Sequence, residues 1–172
     1  AAGYFPREDL MMLRRLGSHL QGHPDSKSTP GVEVCTGSLG QGLSMANGLA
    51  LGLRLDGKEN RVYALLGDGE LQEGQFWESL STAAHLGLGE IVAIIDHNKI
   101  QSDTWGHEVN DLGDIEAKLK AFGWHVSRCD GHDVAALERT LRSLDGITDT
   151  PKVIIADTVK GKGISFMEGP NA

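Results

Sequence analysis

Apolar positions along this chain fall into two kinds of run. Short, mostly apolar stretches occur at Arg61-Val62-Tyr63-Ala64-Leu65-Leu66, stopped by glycine, at Ile91-Val92-Ala93-Ile94-Ile95, rich in β-branched residues, and, just after Pro151, at Val153-Ile154-Ile155-Ala156. Each reads as a buried strand, and Trp124-His125-Val126-Ser127 as a fourth, shorter one. Between them, helical spacing takes over. The pattern predicts a helix over 8–20 through Leu10, Leu13, Leu16 and Leu20. A second starts at Ser38 or Gly40 and runs through Met45, Ala46, Leu49, Leu51 and Leu53. A third covers 73–86 through Phe76, Leu80, Ala83 and Ala84, with Gly87 and Gly89 as its stop. Two more are expected over 115–122 and 134–144, the latter behind the turn Asp130-Gly131-His132-Asp133, whose last residue is placed to cap it. Helices alternating with buried strands predict an α/β fold: a doubly wound, largely parallel sheet with helices on both faces.

Candidate chemistry sits where the strands stop. Gly67-Asp68-Gly69 ends the first run, and Asn98 follows the second, thirty positions after the Asp. With the helix over 73–86 between them, the two strands form one βαβ unit, whose strands end on the same edge of the sheet. Ligands of open α/β sheets bind outside those carboxyl ends. A carboxylate, an amide oxygen and a main-chain carbonyl suit a hard cation that keeps places for diphosphate oxygens and water. Gly69 allows close backbone approach to a phosphate, and free N–H groups at a helix start favour an anion. An isolated Gly-Asp-Gly is most often a plain tight turn. The strand context and the paired Asn argue for more than that here.

These residues and their spacing resemble the thiamine-diphosphate-binding fingerprint of the transketolase group of enzymes. The resemblance implies that Asp68, the Asn98 side chain and the backbone carbonyl of Ile100 hold the metal, magnesium with calcium as an alternative, while Gly69 and Asn98 contact the cofactor. Gly22-His23-Pro24 and the segment Pro30-Gly31-Val32-Glu33-Val34-Cys35-Thr36-Gly37-Ser38-Leu39-Gly40-Gln41-Gly42 are similar to the transketolase stretch that lies along the cofactor. Carried over, Gly37, Ser38 and Leu39 contact thiamine diphosphate, and His23 sits near its aminopyrimidine and the substrate. Thr158-Val159-Lys160-Gly161-Lys162-Gly163 is similar to the family's loop after another strand, which makes Lys160 a candidate for both cofactor binding and catalysis. Read without the family, that run is a solvated loop.

The same resemblance implies the function: transfer of a two-carbon ketol unit from a ketose to an aldose. This chain would be the diphosphate-binding domain over 1–172, short of the family's first segment and of its final substrate-facing segment. The family's activating glutamate lies on a separate pyrimidine-binding domain, and 172 residues are too few to hold a second domain of that size. The chain is therefore expected to need a pyrimidine-domain (C-terminal) subunit or domain, as in a split transketolase, within a homodimer or heterotetramer acting on sugar phosphates. Two other readings stay open. One is another thiamine-diphosphate enzyme component, of the deoxyxylulose-phosphate synthase or oxo-acid dehydrogenase type. The other is a noncatalytic cofactor-binding or assembly module.

Composition narrows the surroundings. With 40% hydrophobic and 23% charged residues, the chain has ordinary globular usage, enough for one real core. A formal net charge of −8 argues against nucleic acid as a partner, because that affinity rests on clustered Lys and Arg. An anionic cofactor must then be held locally. No apolar run approaches the ~18 residues of a membrane span. Cys35 and Cys129 lack Cys-x-x-Cys context and read as reduced thiols, consistent with a cytoplasmic location. His85 and His97 have no zinc spacing and read as satisfied structural histidines. Trp77, Trp105 and Trp124 read as core or interface packing. Glu73 fits the dipole of the helix it opens, and the family offers it a second role in a carboxylate network between paired sites.

Overall fold

The computed structural model describes residues 2–169. They divide into two compact units, one up to Leu39 and one from Gly40 onward.

The first unit is built mostly of turns. A single 3-10 turn covers Arg7–Met12, and the helix expected over 8–20 does not form. Leu10, Leu13 and Leu16, its apolar stripe, are 54%, 56% and 103% exposed. A short helix draws most of its stability from packing such a stripe, and this one meets no surface among the described residues. Arg14 at φ 63° and Gly17 at φ 79° then break the helical path. Side chains tie the loops instead. His19 Nε2 pairs with Asp9 Oδ2 at 3.0 Å, and its carbonyl accepts the Thr29 hydroxyl at 2.5 Å.

The second unit holds the sheet. Four strands, β1 (Val62–Gly67), β2 (Ile91–His97), β5 (His125–Asp130) and β6 (Lys152–Asp157), are all parallel and lie in the order β1-β2-β6-β5. The two central strands are buried on both faces, whereas β1 alternates buried and exposed, with Tyr63 and Leu65 on the open face. Helices α1 (Gln41–Leu55), α2 (Gly74–His85) and α4 (Ile115–Ala121) cover one face, where Leu43, Phe76, Leu80 and Leu119 meet Ile91, Ala93, Ile95, Val153 and Ile155. Each large side chain fully buried there contributes roughly 1.5–3 kcal/mol. Helix α5 (Val134–Ser143) covers the other, with Leu141 and Leu144 set against Val92 and Ile154. The expected doubly wound, largely parallel fold is thus what the chain forms.

Local signals placed most of these elements. Asp133 caps α5, accepting the Ala135 and Ala136 amides at 2.9 and 3.1 Å. Strand β5 starts one residue later than expected and runs to Asp130, because Trp124 is spent as a core residue. It is 3% exposed, and its indole N–H donates to the Leu80 carbonyl at 3.0 Å. At the amino end of the sheet, Lys152 is buried and its ammonium donates to the carbonyls of Gly89 and Ile147. A short hairpin, β3 (Ile100–Gln101) and β4 (Thr104–Trp105), and a helical turn, α3 (Gly106–Asn110), follow β2. Neither has an apolar period long enough to read from the chain. No helix among the described residues is long and apolar enough to cross a membrane.

Candidate functional site

The carboxyl ends of the parallel strands gather the polar residues. Gly67 is the last residue of β1 and pairs with Asp96 of β2, so Asp68 leaves the sheet beside the start of the Asn98 loop. Asp68 is 9% exposed. Burial pushes its carboxyl above the usual carboxylate range, against the pull of the Lys99 and Gly69 amides and of His97. Its Oδ2 accepts the Lys99 N–H at 2.5 Å, which draws the two strand ends together. A 3-10 turn, Gly69–Gln72, intervenes before α2.

The hairpin explains which way Ile100 points. The Gly106 N–H donates to the Lys99 carbonyl at 2.9 Å, making 99 and 106 a hydrogen-bonded pair. Alternation along an antiparallel ladder then makes Ile100 and Trp105 a non-hydrogen-bonded pair, with the Ile100 N–H and C=O both turned away from β4. The N–H is taken by Asn98 Oδ1 at 3.0 Å. The Ile100 carbonyl therefore lies on the Asn98 side of the loop. Lys99 at φ 69° and Ser102 at φ 56° hold the tight curvature on either side.

This donor set fits a hard divalent cation. One buried carboxylate, one amide oxygen with a lone pair to spare and one unpaired main-chain carbonyl are oxygen ligands of the kind magnesium takes when it keeps several places for phosphate oxygens and water. The described residues hold no cluster of three His, Cys, Asp or Glu side chains that would suit a softer metal. Gln101 adds an orphan: its Oε1 is buried without a partner, and its side chain lies against Gly69, where a Cβ would stand 3.2 Å from Gln101 Cγ. A cavity of about 350 Å³ opens beside Asp68 and Gly69, walled by Gln101, Trp105, His107 and Leu112. Trp105, expected to be core or interface packing, lines it.

Around this centre the structure adds residues that pattern alone did not single out. Glu70 accepts the Gly40 N–H at 2.9 Å and the Gly67 N–H at 3.3 Å, linking the head of α1 to the end of β1. The Gly40 amide is thereby paired, and an anion at this helix start would have to meet the amides from Gln41 onward. Asp157, last in β6, takes a two-pronged contact from Arg128 at 2.7 and 2.8 Å and another from His97 Nδ1 at 3.0 Å. The Arg128 guanidinium, with help from His97, holds the Asp157 carboxyl well below the usual carboxylate range. His97 is indeed a satisfied histidine, and its partner is a carboxylate at the site's edge.

Lys160 lies in the loop after β6, and its ammonium donates to the Ser102 carbonyl at 2.5 Å, so it reaches the hairpin that follows Asn98. His132 Nε2 accepts the Val159 N–H at 2.8 Å and steadies that loop from the turn after β5. The candidates Asp68, Gly69, Asn98, Ile100 and Lys160 thus share one edge of the second unit. Glu73 sits at the cap position of α2, exposed and with no capping hydrogen bond.

In the first unit, His23 packs on Gly37. That glycine is at φ 130°, and a Cβ added to it would fall 2.2 Å from His23 Nδ1, so only glycine fits. Ser38 and Leu39 follow, both exposed. Cys35 is free and meets Asp25 and Ser26, and Cys129 is also free.

Comparison with known proteins bears on the whole arrangement. The family model described as transketolase, thiamine diphosphate binding domain, matches residues 2–172. The 6-deoxy-6-sulfo-D-fructose transketolase subunit SqwG of Clostridium sp. (strain MSTE9) is 42% identical over 167 residues, 97% of this chain and 61% of that protein. One of the subunits of the apulose-4-phosphate transketolase of Actinobacillus succinogenes is 42% identical over 168 residues, 98% of this chain and 60% of that protein. Among solved structures, a transketolase of Pichia stipitis in complex with sedoheptulose 7-phosphate superposes with a TM-score of 0.84 at 34% identity, over 95% of this chain and 27% of that one. The transketolase of Leishmania mexicana gives 0.85 at 35% identity, over 92% and 25%. The chain spans about three-fifths of the subunits it matches and about a quarter of the solved enzymes.

Proposed function

The chain belongs to the transketolase family as a thiamine-diphosphate-binding domain, and we propose that it supplies the magnesium-diphosphate half of a site for transferring a two-carbon ketol unit from a ketose to an aldose. One observation carries this reading. The Asp68 carboxylate, the Asn98 amide and the outward-turned Ile100 carbonyl form a hard-oxygen donor set at adjacent strand ends, inside the matched residues. Thiamine diphosphate, when bound, supplies the nucleophilic carbon and the electron sink for such a transfer. The chain's own residues do the rest of the binding. Asp68, Asn98 and Ile100 would hold magnesium, and Gly69 would let the backbone close on the diphosphate. Gly37, Ser38 and Leu39 would line the cofactor, and His23 would hold or donate a proton at a substrate oxygen. Lys160, fixed against Ser102, would present its ammonium at the rim.

A pyrimidine-domain partner would complete the site, in a dimer or a heterotetramer, since two of the relatives are named as transketolase subunits. Those two are named for a sulfonated and a phosphorylated sugar, which supports an anionic sugar, a sugar phosphate first, as substrate. Two free thiols fit a reducing, cytoplasmic location. The test is a titration with thiamine diphosphate and Mg²⁺, followed by quenching of Trp105 in the cavity wall, then an assay of ketol transfer from a ketose phosphate with the partner added. Saturable, EDTA-sensitive quenching and partner-dependent transfer are expected. Quenching without transfer would favour a noncatalytic cofactor-binding module, and no magnesium-dependent binding would sink the reading.

A further inference from the structure

Asp157 lies where three strands meet the Asn98 loop. His97 and Asp157 are side by side in the parallel register of β2 and β6, and side chains in register share a face of the sheet. Asp130 pairs with Asp157 on the other side, so Arg128, two residues earlier in β5, shares that face as well. The Asp157 carboxylate is filled by these neighbours. Oδ1 accepts from His97 Nδ1 at 3.0 Å and from Arg128 Nη2 at 2.8 Å, with Lys99 Nζ at 3.7 Å, and Oδ2 accepts from Arg128 Nε at 2.7 Å. The two groups it grips besides Arg128 are the residues before and after Asn98.

Each of them is also held through its backbone. The His97 carbonyl accepts the Thr158 N–H at 3.2 Å, and the Lys99 N–H donates to Asp68 at 2.5 Å. Lys99 sits at φ 69°, a conformation that a side chain with a Cβ adopts only when its surroundings hold it there. The planar guanidinium fork of Arg128 leaves the carboxylate one orientation. The His97–Asp157 pair is the more buried part of this cluster, its side chains 16% and 32% exposed. The side chains of Arg128 and Lys99 are 44% and 52% exposed, and ion pairs so open to water contribute little to folding.

Resting on the reading of Asp68, Asn98 and Ile100 as metal-holding groups, we propose that Asp157 is the positioning residue of the metal-binding loop. It clamps His97 and Lys99 so that the oxygens of Asn98 and Ile100 are set before the cation arrives. Outer partners that orient metal ligands in this way carry about 10–100-fold in metal affinity.

The experiment uses the full-length protein and the variants Asp157→Asn and Arg128→Lys, with Glu90→Gln as control. The control breaks a comparable fork, Arg54 on Glu90, at the opposite end of the sheet. Amide exchange over 99–101 is measured without metal, and Mn²⁺ affinity is measured in the presence of thiamine diphosphate. Both clamp variants are expected to exchange faster over 99–101 and to bind Mn²⁺ about 10–100-fold more weakly, with the control unchanged in both. Arg128→Lys keeps the charge and loses the fork, so it tests the clamp if Asp157→Asn fails to fold. Unchanged exchange over 99–101 in the clamp variants overturns the proposal, as does equal loosening in the control. A wild type that binds no Mn²⁺ with the cofactor refutes the reading of the site. The metal-free exchange still decides whether Asp157 holds the loop.

Discussion

Replacing Asp68 with Asn should separate binding from folding. Asp68 is 9% exposed, and burial disfavours the charged form of its carboxyl. Asn keeps an oxygen for the Lys99 N–H, which now sits 2.5 Å from Oδ2. The change removes a desolvated charge and retains its hydrogen bond. Stability without metal should therefore stay within about 1 kcal/mol of wild type or rise. The holo protein should behave oppositely. Groups that only orient a metal ligand carry about 10–100-fold in affinity, so losing the single charged ligand should cost at least about 100-fold, near 2.7 kcal/mol. Urea denaturation in EDTA reads the first quantity through the midpoint at constant m, and a Mg²⁺ titration at fixed thiamine diphosphate reads the second. Asp68→Ala is the comparator. It orphans the Lys99 amide and should lose about 1–3 kcal/mol in EDTA. If Asp68→Asn destabilises the metal-free protein as much as Ala does, or binds magnesium like wild type, Asp68 is a structural residue and the argument fails.

Gly89→Ala should cost at least about 3 kcal/mol in urea denaturation, because its Cβ would lie 1.9 Å from the Thr148 carbonyl oxygen and backbone must move. Buried Lys152 has its pKa pushed below 10.5, mainly by burial and then by Arg61, so the unfolded chain binds more protons in the window just under that value. Its contribution to stability is therefore lowest at neutral pH and rises toward pH 10.5, and the difference between wild type and Lys152→Met, followed by thermal melts across that window, should shift in favour of wild type as pH climbs. Lys160→Met, which loses the contact to Ser102, should leave the melting temperature within the few degrees expected of an exposed substitution and lower ketol transfer by the reconstituted enzyme at least about tenfold. Equal activity would remove Lys160 from the site.

The fold was legible where burial is two-sided. Val153-Ile154-Ile155-Ala156 and Ile91-Val92-Ala93-Ile94-Ile95 lie in the two central strands, and runs of that kind occur because both faces are covered. Asp133 announced α5 through its side chain, a signal that needs no tertiary contact. The stretch 8–20 misled for the same physical reason in reverse. Leucines at helical spacing predict a helix only if a surface waits for them, and Leu16 stands fully exposed. Periodicity records what a segment could bury, and neighbours decide whether it does.

The proposed site was legible in its candidate ligands and opaque in what orients them. Asp68 and Asn98 could be paired from strand order, because both follow apolar runs that stop at the same edge. The direction of the Ile100 carbonyl depends on a two-residue hairpin, β3–β4, whose four residues carry no period at all. Asp157 was invisible for a different reason. Its partners come from β2 and β5, so the clamp exists only once β6 is inserted between them, a sheet order that the chain's linear sequence does not disclose. Opposite charges at strand ends, Arg128 in β5 and Asp157 in β6, are the trace it leaves. In a parallel sheet such charges share the binding edge whichever strands turn out to be neighbours. An acid or base in the last residues of a parallel strand is therefore a candidate for setting the proposed ligands, even where those lie on the loops beyond.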